Sequence, residues 1–472
     1  MVNIEQIKYA SLTTSRIIQN EHRFDASAYN IDAMKAINKV QHYENGYTFL
    51  SGNEGLVQKA FVGSRFKRIY TENDQDIPFF LPSDIENVHP KATKHISRVT
   101  KTDFDNLIVH KGMLLISCSG TIGKTCIVSN SLDNQLFSHD LLRVTFKNEE
   151  DLGFVYAFLN TSIGLTILQS NNYGAVIDHI EPGHLANIPI PNAPKEIKDE
   201  VHKLIIDSYS DRDQSNELIT EAQNLLYKTL KLPKVSEIKP KQYDSDAKFR
   251  CFSLNMSRLD NRIDVSYHIP LAEAVIDEIS KESEYVAKIK DPNITSKIIL
   301  PGRFKRIYVD KEHGVPFFGG KQLLQLIPTN LKYLSKTQHA NRIKQQLSIE
   351  ENWCVVSCSG TIGKVNIVPK HWEGWTLNQH VLRLVPKDDD IAGYLYAWIE
   401  SPYCKPLILR NSYGAVIDEL DDIQMGNVPV PILKDKQIMK EINDKVLKAN
   451  KLRYDAAQKE SNAIQIVYDL LK

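Results

Sequence analysis

Two stretches of the chain carry apolar or small residues at alternating steps of four and three. Val201, Ile205, Ser208, Arg212, Ser215, Ile219, Ala222, Leu226 and Thr229 keep this rhythm in the first. Met439, Ile442, Val446, Ala449, Arg453, Ala456, Glu460, Ala463, Val467 and Leu470 keep it in the second. No Gly or Pro interrupts Lys195 to Lys231. The spacing predicts two long helices, each with a coiled-coil seam. Either the seams face each other or each helix packs on its own domain. Their matching length and phase favour each other as partners. Both seams are weak in the middle, where Arg212 and Arg453 fall at equivalent positions.

Elsewhere the apolar runs are short. Met113–Ser117 and Trp353–Ser357 read as buried strands, Cys126–Val128 and Asn366–Val368 as return strands, and Leu141–Val144 and Val381–Leu384 as further strands. Phe154–Leu159 and Tyr394–Ile399 read as helices, as does Ala272–Ala287. Ile188-Pro189-Ile190-Pro191 and Val428-Pro429-Val430-Pro431 read as extended exits.

The elements come in pairs because the chain repeats itself. Ser117-Cys118-Ser119-Gly120-Thr121-Ile122-Gly123-Lys124 recurs unchanged at Ser357–Lys364. Tyr173–Asp178 recurs at Tyr413–Asp418, and Phe66–Tyr70 at Phe304–Tyr308. A period near 240 residues is far longer than the roughly 20–50 of a solenoid, so a whole domain is duplicated. The expected fold is mixed, α/β (α+β). A globular domain (1–193), a long helix (194–232) and a charged, proline-marked, exposed linker (233–250) precede a second globular domain (251–433) and a second long helix (434–472).

The repeated motifs are also the candidate chemistry. Gly120 and Gly123 resemble a nucleotide loop, but that loop needs Gly where Cys118 stands, and Val365 replaces Thr125 in the second copy. A tight turn is the better reading. Its glycines serve either backbone geometry alone or close approach to a ligand, with Ser119, Thr121, Lys124 and their copies Ser359, Thr361 and Lys364 as phosphate donors. Arg65, Lys67, Arg68 and Tyr70, with Arg303, Lys305, Arg306 and Tyr308, form basic segments with interleaved aromatics. On an extended chain Phe66, Arg68 and Tyr70 share one face. Such a segment suits contact with phosphates and base edges, and the competing reading is an ordinary solvated face. Tyr173 and Tyr413, from the third repeated motif, complete the candidate DNA-binding set.

No catalytic constellation is held in register between the copies. His179 becomes Glu419, His139 aligns with Gln379, and Asp140 with His380. Neither a metal-ligand spacing nor a CxxC pair occurs, and the six cysteines read as buried thiols of a reducing cytosol. With 58 basic and 58 acidic residues, net charge points to no partner, so any nucleic-acid contact must come from a local basic surface. No apolar run approaches the ~18 residues that span a membrane, and the N-terminus does not read as a signal peptide.

Taken together, the chain resembles the specificity subunit of type I restriction-modification systems. The resemblance covers the whole chain. It rests on the Arg-x-Asp openings at Arg23 and Arg262, the Ser-Gly-x-x-Gly-Lys turns at Ser119 and Ser359, and the proline exits leading into helices. It implies two target-recognition domains that bind double-stranded DNA, one half-site each, without catalysis, cofactor or metal in this chain. It also implies DNA adenine methyltransferase subunits, two of them, carrying S-adenosylmethionine, a motor-nuclease subunit that cuts unmodified DNA, and a cytoplasmic location. Relatives in type II systems work with fused cleavage-methylation subunits, and sequence does not separate the settings. Antiparallel pairing of the long helices gives the chain an internal two-fold. A 37-residue helix (195–231) spans roughly 55 Å, longer than one DNA turn of about 34 Å. A two-domain scaffold that organises protein partners without touching DNA is the rival from another class.

Overall fold

The computed structural model describes residues 13, 14, 18, 29–71, 76–170, 179–238, 252–259, 262–414 and 417–472. The chain divides into two compact units. The first comprises residues up to Asp213 and Asp455–Lys472; the second is Gln214–Tyr454. The opening at Arg23 and the segment Tyr173–Asp178 lie outside the described residues.

In the first unit, α1 (Ile31–Gln41) leads into β1 (Tyr47–Phe49), β2 (Val57–Val62), β3 (Tyr70–Thr71), β4 (Ile77–Phe80) and β5 (Lys94–Ile96). Then come β6 (Leu114–Ser117), β7 (Thr125–Ile127), β8 (Leu136–Phe137), β9 (Leu141–Phe146), α2 (Glu149–Asn160), α3 (Ser162–Ser170), β10 (Pro189–Pro191) and the long α4 (Lys195–Thr229). One sheet has the order β2-β9-β6-β7 and is antiparallel throughout. A second has the order β3-β5-β4-β8, and β1 pairs with β10. The strand β6 is buried along its whole length. That is why its sequence reads as an uninterrupted apolar run rather than an alternation.

The second unit repeats this plan with α5 (Pro270–Glu282), β11 (Ser283–Lys288), β12 (Thr295–Ile299), β13 (Gly314–Phe318) and β14 (Lys332–Ser335). It continues through β15 (Cys354–Ser357), β16 (Val365–Ile367), β17 (Thr376–Leu377), β18 (Val381–Pro386), α6 (Asp389–Ile399), α7 (Cys404–Arg410), α8 (Asp422–Gly426), β19 (Pro429–Leu433) and the long α9 (Lys436–Asp469). Its sheets, β12-β18-β15-β16, β14-β13-β17 and β11-β19, match those of the first unit strand for strand except that β3 has only an isolated bridge, Tyr308 to Leu334, as counterpart.

Two expectations from the sequence change here. The helix expected over Ala272–Ala287 stops at Glu282, and Ser283–Lys288 is strand. The proline-marked exit Pro429–Leu433 needs an edge partner for its carbonyls, and β11 supplies it in antiparallel register. The start of the linker is exposed only in part: Lys234, Ser236 and Glu237 are exposed, but its two ends are held. Ile238 is buried in the second unit's core, and Tyr403 donates to the Pro233 carbonyl at 2.7 Å.

The seam residues bury where the 3.5-residue rhythm places them. In the first unit Val201 and Ile205 of α4 share a core with Ala463 and Val467 from the end of α9 and with Leu471 just beyond it. In the second unit Ile219, Ala222 and Leu226 share a core with Ile442, Val446 and Ala449 from its beginning. The helix pairs are therefore antiparallel. Glycine permits close approach in both copies: a Cβ on Gly153 would lie 2.6 Å from His202 Cα, and one on Gly393 would lie 2.4 Å from the Asn443 carbonyl oxygen. The polar middle of the seam differs between units. Arg212 is ion-paired with Glu460, which also accepts from the Tyr156 hydroxyl at 2.6 Å. Arg453 instead donates to Ser215 (3.1 Å) and Asn366 (3.2 Å).

Candidate nucleic-acid interface

The turn that joins β6 to β7 is held by its first serine. The Ser117 hydroxyl donates to the Thr121 carbonyl (2.7 Å) and accepts from the Lys124 amide (2.9 Å). Ser357 does the same with Thr361 (2.6 Å) and Lys364 (2.9 Å). Gly120 and Gly360 both sit at φ +72°, where a side chain would be strained, and a Cβ on either would meet nothing within 4 Å. The turn thus leaves backbone open on one side. It leads into a strand rather than a helix, so it lacks the helix N-terminus on which a nucleotide loop depends. The cysteines inside it are buried, which pushes Cys118 up to about 11 and Cys358 up to about 12. Neither thiol is poised as a nucleophile.

Beside each turn lies the basic segment. It is not strand before Tyr70, but it is extended enough for its side chains to alternate. Phe66 packs edge-on against Phe79 at 6.1 Å, Arg68 lies 5.5 Å from the same ring and Tyr70 6.4 Å from it. The second unit repeats the cluster: Phe304, Arg306 and Tyr308 lie 6.4, 5.5 and 6.1 Å from Phe317. Arg65, Lys67 and Tyr70, and likewise Arg303, Lys305, Arg306 and Tyr308, are exposed. Thr121 and Thr361 are exposed too, whereas Ser119, Lys124, Ser359 and Lys364 are half-buried.

The repeated arginines have different neighbours. Arg68 donates to Ser138 (3.0 Å), His139 Nδ1 (3.3 Å) and Asp140 (2.9 Å). Burial works against its charge, but hydrogen bonds with Tyr70 and Asp140 outweigh that and raise its pKa. Burial also disfavours the Asp140 carboxylate, yet Ser138 and Arg68 together hold it below the usual range. Among the described residues Arg306 reaches the Gln379 side-chain carbonyl, at 2.7 Å, and no carboxylate, because His380 stands where Asp140 does. Lys124 is ion-paired with Glu86, whose counterpart is Leu324.

A buried arginine holds the loop under each cluster. Arg143 donates to the carbonyls of Leu141 (2.9 Å), Leu107 (3.0 Å), Phe137 (3.1 Å) and Ser138 (3.3 Å). Arg383 serves Asn378, Val381, Leu347 and Leu377 in the same way. Burial without a carboxylate partner lowers Arg143 to about 10 and Arg383 to about 9. Both remain cations at neutral pH.

In the second unit the third motif closes on the turn. The Leu420 amide donates to the Cys358 carbonyl at 2.9 Å, and Tyr413 and Glu419 exchange backbone hydrogen bonds of 2.9 and 2.7 Å. Tyr413 is exposed there; Tyr173 lies outside the described residues. The Arg-x-Asp opening also reaches this corner. Arg262 grips Asp264 through two bonds of 2.9 and 2.6 Å, which hold that carboxyl down at about 2, and donates to the Ser412 carbonyl at 3.2 Å.

The turn, the aromatic-basic segment and the Tyr413 loop thus share one corner in the second unit, and the turn and segment do so in the first. Sequence reasoning passed over Glu86, Arg143, Arg383, Lys321 and Asn378. The one available signal was the exchange of His139-Asp140 for Gln379-His380 next to a repeated Leu-x-Arg or Val-x-Arg.

A family model described as the type I restriction modification DNA specificity domain matches residues 54–226 and again 303–458. The chain belongs to this family. Among solved structures, the S subunit of a type I restriction-modification system from M. genitalium matches at 14% identity, covering 90% of this chain and 98% of that one, with a TM-score of 0.33. The HsdS subunit from Thermoanaerobacter tengcongensis matches at 14% identity, covering 89% and 99%, with a TM-score of 0.27. Membership rests on the doubled family match and not on these scores. No match was found among curated proteins. Among the described residues no group of His, Cys, Asp and Glu is placed to hold a metal, and no single helix is long and apolar enough to cross a membrane.

Proposed function

We propose that this type I specificity-family chain reads a bipartite duplex target, one half-site per unit, and performs no chemistry itself. The observation that carries the reading is the doubled surface: in each unit an open glycine turn lies beside exposed cationic side chains and aromatic rings. Arg and Lys at such a surface supply phosphate contact, and Arg and Tyr reach base edges. Arg65, Lys67, Arg68, Tyr70, Ser119, Thr121 and Lys124 serve one half-site, together with Tyr173. Arg303, Lys305, Arg306, Tyr308, Ser359, Thr361, Lys364 and Tyr413 serve the other.

In this reading two DNA adenine methyltransferase subunits dock on the chain and carry S-adenosylmethionine, and a motor-nuclease subunit completes a restriction complex in the cytoplasm. A formal net charge of zero supports shared DNA contacts, because one neutral subunit supplies little long-range attraction. The test is a salt-controlled DNA-binding measurement on the chain with and without its methyltransferase. Weak binding alone and tight, sequence-specific binding in the complex are expected. A complex that never shifts duplex DNA at low salt would favour the scaffold role.

A further inference from the structure

In the second unit a cavity of about 240 Å³ opens where the turn meets the loop after β17. This is smaller than the roughly 300–1,000 Å³ of pockets for drug-sized ligands, and polar side chains line it. Two cations, Lys321 and Lys364, line it together with Ser359, Thr361, Asn378 and His380, and no carboxylate does. Of the acids beside the turn, Glu419 is engaged with Arg303 at 3.7 Å, and Asp418 meets the turn through its backbone carbonyl, which accepts from the Gly360 amide at 3.3 Å.

The histidine contributes a donor without a charge. Arg306 fixes the Gln379 carbonyl end at 2.7 Å, so the Gln379 amide donates to His380 Nε2 at 2.9 Å. The ring proton therefore sits on Nδ1. Burial, with Arg306 and Arg303 nearby, lowers the His380 pKa and keeps the ring neutral. Gly320 stands where the first unit has Pro82, and Lys321 where it has Ser83.

The corresponding place in the first unit holds the opposite balance. Lys124 is neutralised by Glu86, and Asp140 occupies the position of His380. There Lys124 meets Glu86 and Asp140 meets Arg68, whereas the second unit's cavity is lined by two ammoniums and no carboxylate. Two lysines brought together without a counter-ion are repulsive until an anion arrives. Hydroxyls and an N–H beside them match the acceptor-only surface of a phosphate.

Building on the DNA-recognition reading, we infer that this cavity is a phosphate site in which Lys321 and Lys364, with Ser359 and Thr361, take one phosphodiester of the DNA strand met by the second unit, a two-lysine site that the first unit, with Ser83 in place of Lys321, does not repeat. The two units then differ in how they hold the backbone as well as in any bases they read.

The test uses the full-length chain, inorganic phosphate as one probe and duplex DNA as the other. Phosphate binding is followed by ³¹P line broadening in wild type, Lys321→Gln, Lys364→Gln and Leu324→Glu. DNA affinity is followed across about 50–200 mM salt. Wild type should bind phosphate, and Lys321→Gln, Lys364→Gln and Leu324→Glu should weaken it about tenfold or more. Lys364→Gln should also lower the salt slope for DNA by about 0.9, one phosphate contact. An unchanged slope and no phosphate effect in Lys364→Gln, with wild type still binding DNA, would remove the site and spare the DNA reading. Phosphate binding lost in Lys364→Gln with an unchanged DNA slope would assign the cavity to a free anion and overturn the strand contact. A wild-type chain that binds no DNA at any salt would overturn the DNA reading itself.

Discussion

The eight residues Ser117–Lys124 and Ser357–Lys364 are identical and fold into the same hydrogen-bonded turn, yet the two turns sit in opposite electrostatic company. In the first unit Glu86 neutralises Lys124, and Asp140 holds Arg68, whose side chain is only 24% exposed. In the second, Leu324 and His380 stand in place of those acids, and Arg306 is exposed with a neutral glutamine as partner. Duplication preserved the framework: the buried arginine, the aromatic seat at Phe79 or Phe317, and the close-approach glycine on the helix. The residues that changed are the neighbours that set the charge. A repeated motif in this protein marks shared geometry, and its chemistry depends on residues that do not repeat.

The largest effects should come from the shared framework and be alike in both units. Arg143→Met or Arg383→Met removes the buried guanidinium that four carbonyls share. Each should destabilise its unit by about 3 kcal/mol or more in urea unfolding. A neutral result in one copy alone would show that the buried arginines are not equivalent. Next, Gly153→Ala and Gly393→Ala force a Cβ into the backbone of the long helix, at 2.6 and 2.4 Å. A loss of about 1–3 kcal/mol in thermal or urea unfolding is expected for each. No loss would mean that the helix crossing can open freely.

Smaller effects should separate the units. In DNA binding by the assembled complex, Arg306→Ala should cost about 1–3 kcal/mol if it meets a base, or about one unit of salt slope if it meets a phosphate. Arg68→Ala should cost less, because Arg68 must first give up Asp140. Equal losses would erase the contrast. The smallest change should follow Glu86→Gln, which frees Lys124. A steeper salt slope for DNA, by up to about 0.9, is expected, and an unchanged slope would show that Lys124 is out of reach of any phosphate.

Much of this fold is legible in the sequence because its signals are local or periodic. The 3.5-residue seam marks both long helices, and the alternation Phe66, Arg68, Tyr70 foretells which side chains share a ring. The boundary at Ser283 is not legible, since β11 exists only because a proline-marked segment some 145 residues later pairs with it. The Lys124–Glu86 pair is hidden for the same reason: its partners lie 38 residues apart with nothing periodic between them. Arg143 and Arg383 look like outward-facing residues of an ordinary strand. Their burial follows from loop carbonyls that close over them, which no pattern within the strand foreshadows. The exposed linker was expected from its charges, but Ile238 finds the second unit's core.

The most direct test of the central claim is modified-base sequencing of DNA from cells that carry the methyltransferase with either the wild-type chain or the Arg303→Ala/Arg306→Ala chain. The account predicts a two-part methylated site for wild type. The variant should keep one half of that site and read the other half loosely. Methylation by the variant at the same sites, with both halves as strict as before, would contradict the assignment of one half-site to each unit.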